Sequence, residues 1–168
     1  DEDIPALDLL SAILGYGDAS HLVQTIQRKR QWVNSISASA YTPKDDGLFY
    51  ISANYQLEED GERTHGQTVR GILEEVFRFR QLRVGERDLE RARTIIESQE
   101  IYGKQTVEGL AMKLGHYQMV AGDPAFEQVY YDRLGEVTPE EVRRVARRYL
   151  TPENCSAVLM HPGQEEEI

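Results

Sequence analysis

Apolar residues recur at helical spacing at the start of the chain and predict an amphipathic helix over residues 4–14. The positions that make this stripe are Ile4, Leu7, Leu10 and Leu14. The stretch GYGD that follows contains two glycines, which favour the end of a helix. Ser20 is a suitable N-cap for a second helix, which we expect to run to about Arg30.

The pattern then changes from helical spacing to strand spacing. Serine alternates with apolar residues over 35–41, and an apolar alternation returns over 48–56. The segment TPKDDG between them ends in Asp-Gly, a favoured hairpin turn. These residues predict an antiparallel β-hairpin with one apolar face.

Most of the remaining chain shows helical patterns. The clearest is TPEEVRRVARRYL, in which Thr138 and Glu141 can form a capping box and Pro139 occupies the first turn. A short apolar segment at 155–160 predicts a last strand. The order of elements indicates an α+β fold, in which a mostly antiparallel sheet packs helices on one face. Three strands are few for this number of helices, so we expect a first strand upstream of residue 1.

Composition and charge narrow the class of protein. Of 168 residues, 40% are hydrophobic, which suits one domain with a core. The 29 acidic and 19 basic residues give a net charge of −10, which argues against nucleic acid as a partner. No apolar run approaches the roughly 20 residues that a membrane span requires. A single cysteine fits either a cytoplasmic or a periplasmic location.

Local catalytic motifs are missing from the sequence. No histidine has another histidine three or four positions away, so no HExxH or HxxEH zinc motif exists. No GxSxG nucleophile elbow or phosphate loop is present either. We therefore expect no catalytic residue, no metal ligand and no cofactor in this chain. Cys155 fits a small core residue of the last strand.

Two further features allow more than one interpretation. The basic run at 28–30 fits a solvated helix end, a substrate contact or, least well, a nucleic-acid site. Tyr130 and Tyr131 can mark a binding surface, or one ring can pack in the core while the other lies at its rim.

Four segments, in chain order, resemble the insulinase, pitrilysin and mitochondrial processing peptidase superfamily. ALDLLSAILGYGDASHLVQTIQRKRQWVNSISASAY is similar to its A-x-x-L-L-x-x-I-L-G-x-G-x-x-S-x-L segment with the strand after it. DDGLFYISA resembles its D-x-G-x-F-x-I return strand, and RDLERAR resembles its E-L-x-x-A-K helix. VTPEEVRRVARRYLTPENCSAVLMHP resembles its closing V-T-x-E-x-V-x-x-V-A-x-x-Y-L-x-P-x-N and final strand.

The resemblance implies a concrete architecture. In this superfamily, homologous α+β domains pair and close around a chamber, and one domain binds zinc through HxxEH and a distant glutamate. The present chain lacks that motif, so it resembles the non-catalytic, or inactive, domain. A first strand upstream of residue 1 also fits the family. The resemblance implies that zinc lies in a homologous partner domain, on the same polypeptide or on another subunit.

The resemblance also points to candidate substrate-binding residues. Many members carry L-R-x-K-x-x-L-x-Y where the helix meets the strand, and its Arg and Tyr reach the bound substrate. In this sequence those two positions are Gln27 and Asn34, with Lys29 between them. Glutamine and asparagine can hydrogen-bond a peptide backbone but supply neither a charge nor a phenol.

The leading hypothesis is a chamber-forming, substrate-positioning domain of a bacterial-type zinc metalloendopeptidase, inactive by itself and acting on peptides. The alternatives are a purely structural subunit domain of a larger complex without proteolysis, and a stand-alone binding module. We expect residues 1–162 to form one non-catalytic domain and residues 163–168 to form a disordered tail.

Overall fold

A computed structural model describes residues 1–56 and 63–160 as a helical protein with a two-stranded antiparallel sheet. The elements in chain order are α1 (Ile4–Gly15), a π-helix (Val23–Lys29), β1 (Ser35–Tyr41), β2 (Leu48–Asn54), α2 (His65–Phe79), α3 (Glu86–Gly103), α4 (Val107–Ala121), α5 (Phe126–Glu136), α6 (Pro139–Tyr149) and a 3₁₀ turn (Pro152–Asn154). The predicted α+β class and antiparallel hairpin are confirmed. No helix in the described residues is long and apolar enough to cross a membrane.

The hairpin packs on α1 through one face only. In its register Ile36 lies opposite Ala53, and Ala38 lies opposite Ile51. These side chains point toward the helices, and Ile36 and Ala38 are buried. Gly15, at the end of α1, lies against β1 so closely that a Cβ there would overlap the backbone of Ala38. The glycine therefore serves close helix–strand packing as well as the end of the helix.

Helix α6 closes the domain and joins its last elements to its first. Both hydrogen bonds of the predicted capping box between Thr138 and Glu141 are present. The apolar stripe of α6 is fully buried, at Val142, Val145 and Ala146. On the neighbouring side of α6, two arginines and a tyrosine bind the buried carboxylate of Asp3. This contact joins the beginning of α1 to the end of α6.

The second helix differs from the prediction. Residues 23–29 form a π-helix, in which the amide of Arg30 donates to the carbonyl of Thr25 at 3.2 Å. The hydroxyl of Thr25 donates in turn to the carbonyl of His21. The apolar positions of the pattern, Leu22, Val23 and Ile26, are buried as expected for an amphipathic helix, so the pattern gave no sign of this wider hydrogen-bond register.

The predicted strand at 155–160 is wrong for the described residues. This segment forms no ladder with β1 or β2, and Val158 and Met160 are almost fully exposed. Cys155 is also exposed rather than part of the core. An apolar segment becomes a strand only where a neighbouring strand supplies backbone partners, and none is paired with it here. The predicted tail at 163–168 lies outside the described residues.

Candidate functional site

The outer face of the hairpin is an uncharged surface that points away from the helices. Because side chains alternate along a strand, every second residue of β1 and β2 lies on it. We call these eight residues the hairpin face: Ser35, Ser37, Ser39, Tyr41, Leu48, Tyr50, Ser52 and Asn54. Seven of them are exposed and Ser39 is half-buried. The face offers hydroxyl and amide groups that can donate or accept hydrogen bonds.

The two sequence-predicted site residues lie together at one end of this face. The side-chain amide of Gln27 donates to the backbone carbonyl of Asn34 at 2.8 Å. Gln27 is half-buried and Asn34 is exposed. The amide N–H of Asn34 donates to the carbonyl of Asn54 at 2.7 Å, which extends the hairpin by one more bond. Gln27 thus joins the helix end to the beginning of β1, and the side chain of Asn34 remains accessible.

The backbone between them takes an unusual conformation. Gln31 has φ of 56°, in the left-handed region that favours glycine. It is the only non-glycine residue with positive φ in the described part of the chain. Such a conformation costs about 1–2 kcal/mol. It lies between the π-helix and β1, in the segment that joins Gln27 to Asn34.

The basic run at the helix end binds carboxylates of its own chain. Arg28 and Lys29 lie in the last turn of the π-helix, as expected for cations that complement its negative end. Arg28 pairs with Asp18 at 2.8 Å on the surface. Arg30 pairs with the buried carboxylate of Glu75 on α2 at 3.2 Å. Two of the three cations are therefore used to hold the junction.

Trp32 completes this junction. Its ring lies 4.9 Å from the guanidinium of Arg30 and 5.7 Å from that of Arg63. Arg63 also donates to the backbone carbonyl of Trp32 at 2.7 Å. Gly71 on α2 leaves the space that the ring fills, because a Cβ at this position would overlap it. The indole and two arginines thus fix the segment that connects Gln27 to β1.

The three histidines of the described residues do not converge on a metal site. His21 Nε2 lies 2.9 Å from Glu75 Oε1, and His65 Nδ1 lies 3.1 Å from the hydroxyl of Tyr55. His116 lies edge-on to a tyrosine ring on α4. Within residues 1–56 and 63–160, no three His, Cys, Asp or Glu side chains are placed to hold a metal ion. The fourth histidine, His161, lies outside the described residues.

A second group of polar residues lies between α1, α3, α4 and α5. The hydroxyl of Tyr130 donates to Asp8, and burial raises the pKa of Asp8 to about 6 despite that hydrogen bond. The hydroxyl of Tyr131 donates to Glu100. Burial acts to raise the pKa of Glu100, but its hydrogen bonds, first to Lys113, hold that pKa below its ordinary value. The adjacent tyrosines were the one sequence signal for this region.

Comparison with known proteins identifies the family. The model of the peptidase M16 inactive domain matches residues 1–96, more than half of the chain. The chain therefore belongs to the peptidase M16 inactive domain family, which confirms the resemblance read from its sequence. No curated protein sequence matches the chain significantly.

Solved structures show the same fold. The inactive peptidase domain of a protein assigned as a zinc protease from Bordetella parapertussis superposes with a TM-score of 0.81 at 18% identity. That match covers 100% of this chain and 88% of the other. A protease from Helicobacter pylori gives a TM-score of 0.75 at 18% identity over 90% of this chain and 35% of its own. A peptidase M16 inactive domain from Pseudomonas fluorescens gives 0.73 at 17% identity, over 88% and 34%. The present chain thus spans about a third of the last two chains.

Proposed function

We propose that residues 1–162 form a non-catalytic domain that encloses and positions peptides in a zinc metalloendopeptidase. In this proposal the zinc and its ligands belong to a homologous partner domain, on the same polypeptide or on another subunit. The hairpin face is the observation that carries the proposal. It is a two-stranded, hydroxyl-rich surface that none of the helices covers.

The chemistry of this face suits a peptide backbone. A peptide presents neutral amide and carbonyl groups, and each exchanges a hydrogen bond with water for one with a serine, tyrosine or asparagine at little net cost. A charged side chain on the same surface would have to lose its hydration when a peptide covers it. The face carries no charge in a chain with 29 acidic and 19 basic residues.

Gln27 and Asn34 extend the face at the end where the helix meets β1. Gln27 uses its amide N–H for the carbonyl of Asn34, which leaves its side-chain oxygen as an acceptor. The exposed amide of Asn34 can both donate and accept. We assign the pair to substrate binding by hydrogen bonds. Positioning of this kind can contribute several kcal/mol to lowering a reaction barrier.

The test uses the domain assembled with its zinc-bearing partner domain. Ser37→Glu together with Ser52→Glu places two charges on the hairpin face, at positions that lie opposite each other. We expect kcat/KM for a peptide to fall at least about tenfold, a loss of about 1.4 kcal/mol, while zinc content stays unchanged. Thr94→Glu adds one charge at an exposed hydroxyl residue on the helix α3, and it is the control for each of the two serine substitutions made singly.

Two results would contradict the proposal. One is a kcat/KM that the charges on the hairpin face leave unchanged. The other is a zinc-bearing partner that is equally active on peptides with and without this domain. An assembly with no HxxEH-bearing partner would instead favour a structural subunit domain.

A further inference from the structure

Two carboxylate–tyrosine pairs lie side by side where α1, α3 and α5 meet. The hydroxyl of Tyr130 donates to Asp8 Oδ2 at 2.6 Å, and the hydroxyl of Tyr131 donates to Glu100 Oε2 at 2.9 Å. The two tyrosine rings are edge to face, with centroids 5.1 Å apart and planes at 88°. One carboxylate comes from α1 and the other from α3. The two tyrosines, which are adjacent on α5, therefore donate to carboxylates of two different helices.

The two pairs differ in their counter-ions. Glu100 has two ammonium partners, Lys104 at 3.1 Å and Lys113 in closer contact. Asp8 forms no ion pair with any residue of the described chain. The pair formed by Asp8 and Tyr130 therefore lacks the cation that its neighbour has. A partly buried carboxylate without a counter-ion is costly to ionise, and a bound cation removes that cost.

A cavity of about 300 Å³ lies against both pairs. Its wall includes Asp8, Glu100, Tyr117, Tyr130 and Tyr131. The remaining wall is formed by apolar residues and by polar ones, which include Lys113, His116 and Gln99. This volume is at the lower end of small-molecule sites. Because aromatic faces attract cations, three tyrosines and a carboxylate form a favourable setting for a positive group.

The side chain of Lys113 shows how an ammonium group can be bound beside this cavity. Lys113 Nζ contacts Glu100 and lies 5.8 Å from the ring centroid of Tyr117. A second ammonium group in the cavity would have the same kinds of neighbours, with Asp8 in place of Glu100. A negatively charged ligand could approach the ammonium of Lys113, but it would be repelled by the carboxylate of Asp8, which has no cation of its own among the described residues.

We propose that this cavity binds a primary ammonium group, with Asp8 as its counter-ion and the tyrosine rings as its walls. The proposal does not depend on the function proposed for the hairpin face. The ammonium can be a lysine side chain or the free amino terminus of a peptide, and both present the same chemistry.

Three tripeptide probes separate these sources when titrated into the full 168-residue chain near neutral pH. The first is acetyl-Gly-Lys-Gly-amide, whose one ammonium is a side chain. The second is Gly-norleucine-Gly-amide, whose one ammonium is its amino terminus. The third is acetyl-Gly-norleucine-Gly-amide, which has none. We expect at least one ammonium-bearing peptide to bind at least about tenfold more tightly than the third, by calorimetry.

Asp8→Asn tests the counter-ion, and we expect it to weaken binding at least about tenfold. Asp132→Asn is the matched control, because Asp132 is an exposed aspartate on α5 whose side-chain partner is Gln128. Its affinity should equal that of the wild type. In the wild-type protein, amide chemical-shift changes should cluster around Asp8 and Tyr130, which tests the location even if Asp8→Asn folds poorly.

Three results would overturn the proposal. They are equal binding of all three peptides, no binding of either ammonium peptide up to about 10 mM, and shift changes that fall away from Asp8. Unchanged affinity in a folded Asp8→Asn protein would also exclude Asp8 as the counter-ion.

Discussion

Asp8 should make the stability of this protein depend on pH in an unusual direction. Its carboxyl group is held at the meeting of three helices, and burial raises its pKa from 3.8 to about 6. One pKa unit corresponds to 1.36 kcal/mol, so this difference of about 2 units corresponds to about 3 kcal/mol. Because the folded-state pKa is the higher one, the folded protein binds more protons between the two values. The stability associated with the neutral form is complete below about pH 4 and is lost as pH rises through about 6.

Asp8→Asn isolates this contribution, because an asparagine stays neutral at every pH and can still accept from the hydroxyl of Tyr130. We expect the free energy of unfolding of the variant, relative to wild type, to rise by about 3 kcal/mol between about pH 3 and about pH 7. The other ionisable side chains that line the cavity, those of Glu100, Lys113 and His116, are present in both proteins. Their contributions therefore largely cancel in the difference.

Urea unfolding followed by circular dichroism at a series of pH values measures this difference, provided that the denaturant slopes agree. Asp132→Asn, on the exposed side of α5, should give a nearly constant difference across the same range. If the curves of wild type and Asp8→Asn stay parallel from about pH 3 to about pH 7, the carboxyl of Asp8 is not desolvated and this reasoning fails.

Two further predictions concern the beginning of α1 and the junction. Asp3→Asn should lower the free energy of unfolding by about 1–3 kcal/mol near neutral pH, because the side chain loses two charge-assisted bonds. A hydrogen bond from Arg144 lowers the pKa of Asp3, although burial opposes this effect. The loss of stability in the variant, measured by urea unfolding, should therefore shrink as the pH falls through that lowered pKa. A loss that stays constant down to low pH would refute this prediction. Gln27→Arg with Asn34→Tyr should raise kcat/KM of the assembled peptidase if the domain faces the zinc across the chamber, and a neutral result would place it beside the zinc domain.

The sequence predicted an element well where all the residues that define it lie within a few positions of one another. The capping box of Thr138 and Glu141 needs only its own turn, and both of its hydrogen bonds are present. The hairpin was also predicted from local sequence, because its two stretches of alternating apolar residues and the Asp-Gly turn are neighbours along the chain. The segment at 155–160 failed for the opposite reason. Its apolar pattern is that of a strand, but a strand also needs a neighbour that the pattern does not contain.

The candidate sites were less predictable because tertiary contacts create them. Asp8 lies among apolar residues of α1, and only the packing of α5 brings Tyr130 to it, 122 positions away in the sequence. Arg30 looked like part of a solvated cationic run, and its partner Glu75 is 45 positions away. Gln27 and Asn34 were located by resemblance, and the left-handed backbone conformation of Gln31 between them is not marked by a glycine in the sequence.

The distribution of charge connects the fold with the proposed function. Helices and turns carry the ion pairs of the described chain, for example Arg28 with Asp18 and Arg30 with Glu75, while the hairpin face carries none. Hydration of a charge is lost when another polypeptide covers it, whereas a hydroxyl exchanges one hydrogen bond for another. In the function we propose, the hairpin face takes up and releases peptide backbones repeatedly, so it should be neutral, polar and rigid. β1 meets these conditions, because Ile36 and Ala38 on its inner face are buried and its outer face consists of three serines and a tyrosine. This is why charges at Ser37 and Ser52 should disturb peptide handling, while the same charge on α3 should not.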